Sequence, residues 1–204
     1  MAERAVRPRS AAAPRAWQRM LSGRRLDLLD PSPLDVELED IAHGLARVPR
    51  WNGQTSGAHI FSVAQHSLLV DDIARVLKPD LAPRWQLAVL LHDAPEYVVS
   101  DIISPFKAVL GDGYKAVENR LLTAIHLRFG LPAEIPEVHR KVLKRADQAA
   151  AYVEATQLAG FEHAEALKFF GKPVGVPATL DLTPWPANVA EKRFAERVRA
   201  LLPQ

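Results

Sequence analysis

The stretch from Leu87 to Lys107, L-A-V-L-L-H-D-A-P-E-Y-V-V-S-D-I-I-S-P-F-K, constrains this chain more than any other. Its apolar run, Leu87 to Leu91, must be buried, yet His92 and Asp93 follow it directly and Glu96, Asp101 and Lys107 come soon after. Neighbouring side chains on a helix diverge by about 100°, so His92 and Asp93 cannot both enter one core, but both can reach one ion in a crevice. A divalent metal is the natural candidate. Pro95 disfavours helical geometry at Ala94, so the helix starting at Pro83 is expected to end or kink there and to turn Glu96 towards the same crevice. Taken alone the pair carries little weight, because a chain with 7 His and 24 acidic residues produces His-Asp neighbours by chance.

Composition limits what else the chain can be. With 204 residues and 48% hydrophobic content it can bury one sizeable core, which predicts one domain over 17–204 behind a flexible basic tail of residues 1–16. The absence of Cys removes disulfides and thiolate chemistry, so any metal must be held by His and carboxylates. That suits a reducing cytoplasm, the expected location. The apolar run Leu87 to Leu91 falls far short of the roughly 20 residues a bilayer requires, so no membrane partner is expected.

The formal charge of +2 comes from the N-terminus, where Arg4, Arg7, Arg9, Arg15 and Arg19 face Glu3 alone; without that net +4 the body stands near −2. A broad basic face for a nucleic-acid polymer is therefore not expected. The acid-poor tail reads as disordered or as a transit peptide, and it lacks the apolar region of a secretion signal.

Along the chain, Ser22-Gly23 between two short mixed segments predicts a small β-hairpin over Trp17 to Asp30. Val36, Ile41 and Leu45 recur at helical spacing and predict a short helix over 37–46, with His43 in a packing or surface role. Residues 47–58 are rich in turn formers and form a loop bearing Arg50 and Trp51, which either serve a site or pack over the helical body. Phe61, Ala64, Leu68, Ile73 and Leu77 outline a buried helical face with His66 at its edge, either as a ligand or as a hydrogen-bonded core histidine. Tyr114 to Phe129 is an amphipathic helix ended by Gly130, with His126 on its outer face. In the next helix, Pro136 to Leu158, the packing side is Val142, Ala146, Ala149, Ala150 and Val153. Asp147 lies within that turn and needs a partner, unless it sits at the surface beside Lys144. Pro173, Pro177, Pro184 and Pro186 punctuate a wrapping segment before a last helix over 187–202.

Together His66, His92-Asp93 and Asp147 give the order H…HD…D on three successive packed helices, which resembles the HD superfamily of metal-dependent phosphohydrolases. The longer pattern H-D-A-x-E-x-x-x-x-D-x-x-x-P-x-K, realised as His92, Asp93, Glu96, Asp101, Pro105 and Lys107, is similar to that of bacterial HD-domain 5′-deoxynucleotidases. So are Arg50-Trp51 upstream of His66-Ser67-Leu68, and the Asp147 to Tyr152 segment. The resemblance covers residues 37–158. The loop after Trp51 and the hairpin resemble instead a related branch of HD hydrolases with an R-x-x-G-x-T loop, which leaves the choice of substrate open. His59 has no place in the pattern and is expected in the loop, where it could line the pocket.

The resemblance implies an all-α helical bundle and a metal held by His66, His92, Asp93 and Asp147. Two imidazoles and two carboxylates suit Mn, Co, Zn or Fe better than Ca. Such an ion acidifies bound water and offsets phosphoryl charge. Glu96 is expected to orient the water or relay its proton, and Asp101 to assist or to protonate the leaving oxygen. Arg50 has the fork to hold phosphate, with Lys107 beside it, and Trp51 walls off the sugar 2′ position. The implied activity is hydrolysis of deoxyribonucleotides, most simply 5′-monophosphates. A triphosphohydrolase drawing on Lys107, Arg120, Lys144 or Arg145 is the variant reading, and a catalytically silent nucleotide-binding module the other. The resemblance also implies a homodimer.

Overall fold

The computed structural model describes residues 15–103, 106, 107, 109, 111–174, 176 and 180–203. The expected tail up to residue 14, Pro105 and Pro177 lie outside the described residues. Strands β1 (Trp17–Arg19) and β2 (Arg25–Asp27) pair antiparallel, with Gln18 opposite Leu26 and Gly23 at φ +88° in the turn, as the Ser22-Gly23 pair predicts. The described remainder is helical: α1 (Leu38–Leu45), α2 (Val63–Leu77), α3 (Pro83–Leu90), α4 (Glu96–Val99), α5 (Asp112–Arg128), α6 (Glu137–Gln157), α7 (His163–Phe170) and α8 (Ala187–Leu201). The fold is all-α with a small N-terminal hairpin. No described helix is long and apolar enough to cross a membrane.

Helix α2 is the axis of the bundle and packs against α3, α6 and α8. One side, Val63, Ala64 and Leu68, joins an apolar cluster with Ile41 and Leu45 of α1, Leu87 and Leu90 of α3, Leu121 and Ile125 of α5, and Phe194 of α8. Its other side, Leu69, Val70, Ile73 and Ala74, joins a second cluster with Ala146, Ala150 and Val153 of α6. The expectation of one buried face is therefore corrected. From Val63 to Asp71 the helix is buried all round, and His66 is fully enclosed rather than at an edge. Ser62 caps it by accepting a hydrogen bond from the Gln65 amide, which supplies one of the partners that a helix N-terminus lacks.

Three further expectations change. Helix α3 ends at Leu90, and His92 and Asp93 lie on the turn that follows, because the chain bends before Pro95 and starts α4 at Glu96. The elements carrying His66, His92-Asp93 and Asp147 are not successive, since α4 and α5 lie between the second and third. His126 faces inward, only 3% exposed, with its Nδ1 3.3 Å from the Ala133 carbonyl. The reason is the reversal at Gly130 (φ +72°), where the Leu131 amide donates to the His126 carbonyl and folds the chain back over the ring. Helix α7 was not anticipated within the wrapping segment after Gly160. Its periodic residues are few, and only Ala166 is fully buried.

Candidate metal centre

Four side chains from three places converge at the N-terminal turn of α2, which carries His66. His66 Nε2 lies 3.3 Å from Asp147 Oδ1 of α6 and 3.4 Å from Asp93 Oδ2. His92 Nε2 lies 3.2 Å from the same Asp93 oxygen and 3.9 Å from Asp147 Oδ1. Donor atoms of His66, His92 and Asp147 all fall within 4.8 Å of one another, a spacing a single ion can bridge. Asp147 is thus at the centre and not a surface partner of Lys144.

The ring nitrogens test whether the cluster suits a metal. His92 Nδ1 is 2.8 Å from the Val89 carbonyl, which can only accept, so Nδ1 carries the hydrogen and a neutral ring keeps its lone pair on Nε2. His66 Nδ1 is 2.6 Å from Glu154 Oε1, which orients that ring in the same sense. Both Nε2 atoms are buried without a hydrogen-bond partner, although buried polar atoms are normally paired. Two orphaned lone pairs aimed at two carboxylates are what a cation requires, and the residues fit a divalent ion.

Electrostatics point the same way. Asp93, Asp101 and Glu154 lie around Arg50 and Glu96 beside Lys107, while Asp147 faces His66 and His92. Burial and Arg50 push the His66 imidazole down, but Glu154, Asp147 and Asp93 outweigh them and raise it well above its usual value. Burial would raise Asp93, yet His92 and His66 hold its carboxyl well below the ordinary range. Asp147 is lowered by the same imidazoles against the same burial. An excess of carboxylate that favours a proton on His66 equally favours a metal there.

A cavity of about 660 Å³ opens over this cluster. Arg50, Trp51, Asp93, Glu96, Asp101, Lys107 and Asp147 line it, so every site residue expected from the sequence except His66 and His92 faces the space, and those two sit directly beneath. His59 is exposed and does not line it. Glu96 is 2% exposed, with Oε2 unpaired and Oε1 3.9 Å from Lys107 Nζ. Burial, then Asp93 and Asp101, push its carboxyl up to about 10 against the pull of Arg50 and Lys107. Asp101 instead accepts a hydrogen bond from Arg50 Nη1 at 3.0 Å.

Sequence reasoning missed Glu154, which is the hub of the site. Fully buried, it accepts from His66, from Trp51 Nε1 at 3.0 Å and from Arg50 Nε at 3.5 Å. Burial would raise it, but His66 and Arg50 hold it below the usual carboxylate range. The available signal was its place two turns beyond Asp147, on the apolar side with Ala150 and Val153. Trp51, Asn52 and Gly53 all adopt left-handed backbone, at φ 56°, 51° and 73°. For a bulky residue such as Trp51 this is a strained conformation, of a kind that clusters at ligand clamps. It is held by the Glu154 contact, by the Arg50 amide donating to the Phe61 carbonyl at 2.8 Å, and by ring contacts with Phe161 and Phe170.

The fold and site together define an all-α protein with a His/His/Asp cluster, competent for metal, built on the buried His66 beneath a charged cavity. No family model matches the chain. It is 60% identical over 159 residues to the uncharacterized protein RCAP_rcc00048 of Rhodobacter capsulatus, covering 78% of this chain and 81% of that protein. It is also 30% identical over 169 residues to the uncharacterized protein YfdR of Escherichia coli, covering 82% and 85%. The chain belongs to the family these two proteins represent.

Proposed function

We propose that the chain is an HD-type, metal-dependent phosphohydrolase of deoxyribonucleotides, most simply 5′-deoxynucleoside monophosphates. The observation that carries this reading is the pair of unpartnered Nε2 atoms facing Asp93 and Asp147 beneath a cavity that also holds Arg50 and Lys107. His66, His92, Asp93 and Asp147 would hold the ion. A divalent transition metal there supplies Lewis acidity towards a phosphoryl oxygen and a more acidic bound water.

The chain's own groups supply the rest. Arg50 and Lys107 meet the phosphate charge, and Asp101 keeps the Arg50 fork in place from its 3.0 Å contact. Asp101 is engaged by Arg50 whereas Glu96 Oε2 has no partner, so Glu96 is the better-placed proton carrier. Glu96 is buried, lines the cavity and has an unpaired Oε2, so it is placed to pass a proton to the ester oxygen that leaves with the nucleoside. Trp51, fixed by Glu154 and the phenylalanines, forms the wall against the sugar. An apolar wall rejects an added hydroxyl by only about 1–3 kcal/mol, so ribonucleotides should be poor substrates and not inert ones.

The cavity favours a monophosphate over a triphosphate. Of the four basic residues that could have served a longer phosphate chain, only Lys107 lines it; Arg120 lines a separate cavity, and Lys144 and Arg145 are exposed outside it. The test is a panel of mono- and triphosphates with purified protein and Mn or Co. Phosphate released from dNMP supports the reading, triphosphate released from dNTP replaces it with the variant, and tight nucleotide binding without turnover by metal-replete protein leaves a silent binding module. The proposed homodimer is tested by light scattering against the protomer mass of 22.6 kDa.

A further inference from the structure

The cavity is divided in its chemistry. Beside the charged groups of the floor, the lining includes the mutually contacting rings of Trp51, Phe161, Phe169 and Phe170, and Ile102 and Ile103. Phe161 follows the end of α6, and Phe169 and Phe170 close α7. Their rings form a continuous patch: Trp51 lies 5.5 Å from Phe161 and 5.7 Å from Phe170, and Phe169 lies 6.5 Å from Phe161 and 6.4 Å from Phe170, between ring centroids. Phe169 is 61% exposed, an uncommon position for a ring whose neighbours are packed.

We propose that this aromatic patch is the subsite for the nucleobase, and that the enzyme selects base-bearing phosphate esters over plain sugar phosphates. The inference rests on the phosphohydrolase reading above and adds the part of the substrate that reading left unassigned. A ligand anchored by phosphate at the metal and Arg50 must project its remaining bulk along Trp51 onto the phenylalanines, because these line the same cavity. A sugar phosphate would leave that patch wet. A flat heterocycle covers it, and every base offers a π-face, so stacking here is tolerant of base identity. The patch is short, one turn of α7 and one loop residue, which suits a ring and not a long acyl chain. Gln148 also lines the cavity and brings an amide to it.

The experiment compares a 5′-dNMP with 2-deoxyribose 5-phosphate, the same ester without a base, in the metal-loaded wild type and in Phe169→Ala. Phe169 is the variant of choice because its exposure spares the fold; Val138→Ala, on an exposed position near the start of α6, is the control. Loss of one stacking ring is expected to raise KM for dNMP about 5- to 140-fold. The wild-type preference for dNMP should shrink accordingly, while Val138→Ala keeps it. Equal hydrolysis of both esters by the wild type would overturn the subsite and leave the phosphohydrolase reading standing. So would a Phe169→Ala protein that keeps the full preference, including one whose only change is a smaller assembly mass, since the patch would then be a subunit contact. Hydrolysis of neither ester would remove the underlying reading and the subsite with it.

Discussion

His66 Nδ1 lies 2.6 Å from Glu154 Oε1, and the other oxygen of the same carboxylate takes hydrogen bonds from Trp51 and Arg50. One buried group on α6 therefore fixes both the orientation of a metal-type donor and the posture of the loop above it. Partners behind metal ligands are typically worth about 10–100-fold in metal affinity. Glu154→Ala is expected to weaken metal binding by that order, as measured by chelator competition. Glu154→Gln, which can still accept from Trp51, should lose less. A Glu154→Ala protein with wild-type metal affinity would reduce Glu154 to a support for the loop.

On the proposed reading, removing a metal donor differs from removing the proton carrier. His92→Ala or Asp147→Ala deletes a ligand and leaves the remaining carboxylates uncompensated, so the purified protein should contain little metal. Glu96→Ala should keep its metal while turnover falls by roughly 10²–10⁴, the usual loss for a general acid or base. Metal content by mass spectrometry, read beside the rate, separates the two. If Glu96→Ala lost its metal as completely as His92→Ala, Glu96 would be a ligand.

The site also depends on a close approach of α1 and α4. Gly44 of α1 faces α4, where a Cβ on residue 44 would stand 2.8 Å from Tyr97 Cβ and 3.2 Å from its backbone. Backbone at that distance cannot yield cheaply, so Gly44→Ala must push apart α1 and α4, the helix that begins with Glu96. Overpacking of this kind costs about 1–3 kcal/mol, visible as a lowered urea midpoint. An unchanged midpoint would mean that α4 shifts freely.

The divide between what was legible and what was not follows from the kind of signal each residue leaves. His92-Asp93 stands out because charge directly follows an apolar run, and Pro95 marks the bend; both are local. The hairpin at Ser22-Gly23 and the cap at Gly130 are local too. Glu154 leaves no such mark, because it sits in a helix with ordinary charged neighbours, and its burial is decided by His66, 88 residues away. The apolar positions Phe61, Ala64, Leu68, Ile73 and Leu77 place His66 at the edge of one face, because nothing local marks the polar Gln65, Ser67 and Asp71 as buried too. Gln65 instead exchanges hydrogen bonds with Thr183 and Trp185, and Asp71 pairs with Arg197. A polar residue matched by a distant partner looks, in the sequence, like one matched by water.

His126 gives a test of stability remote from the metal. Burial lowers its pKa below the usual value of 6.5, and the Ala133 and Pro132 carbonyls offset this only in part. Its Nε2 is buried without a partner, so a second proton on the ring would find nothing to donate to. Above a pH of about 6.5, the unfolded value, both states carry a neutral ring and the group costs nothing. As the pH falls below that, the unfolded chain takes up a proton that the native ring resists, so stability falls, by at most about 1.4 kcal/mol per pH unit, until the native ring also titrates. His126→Gln has no proton to bind in this range. Urea unfolding at pH 7.5 and pH 5.5 should therefore show a larger loss for the wild type than for His126→Gln, whatever the absolute stability of the variant. The carboxylates and the His66 cluster titrate in both proteins and cancel in the comparison. Parallel losses would mean that the native ring is protonated as easily as the unfolded one, and that the turn at Gly130 opens to admit water.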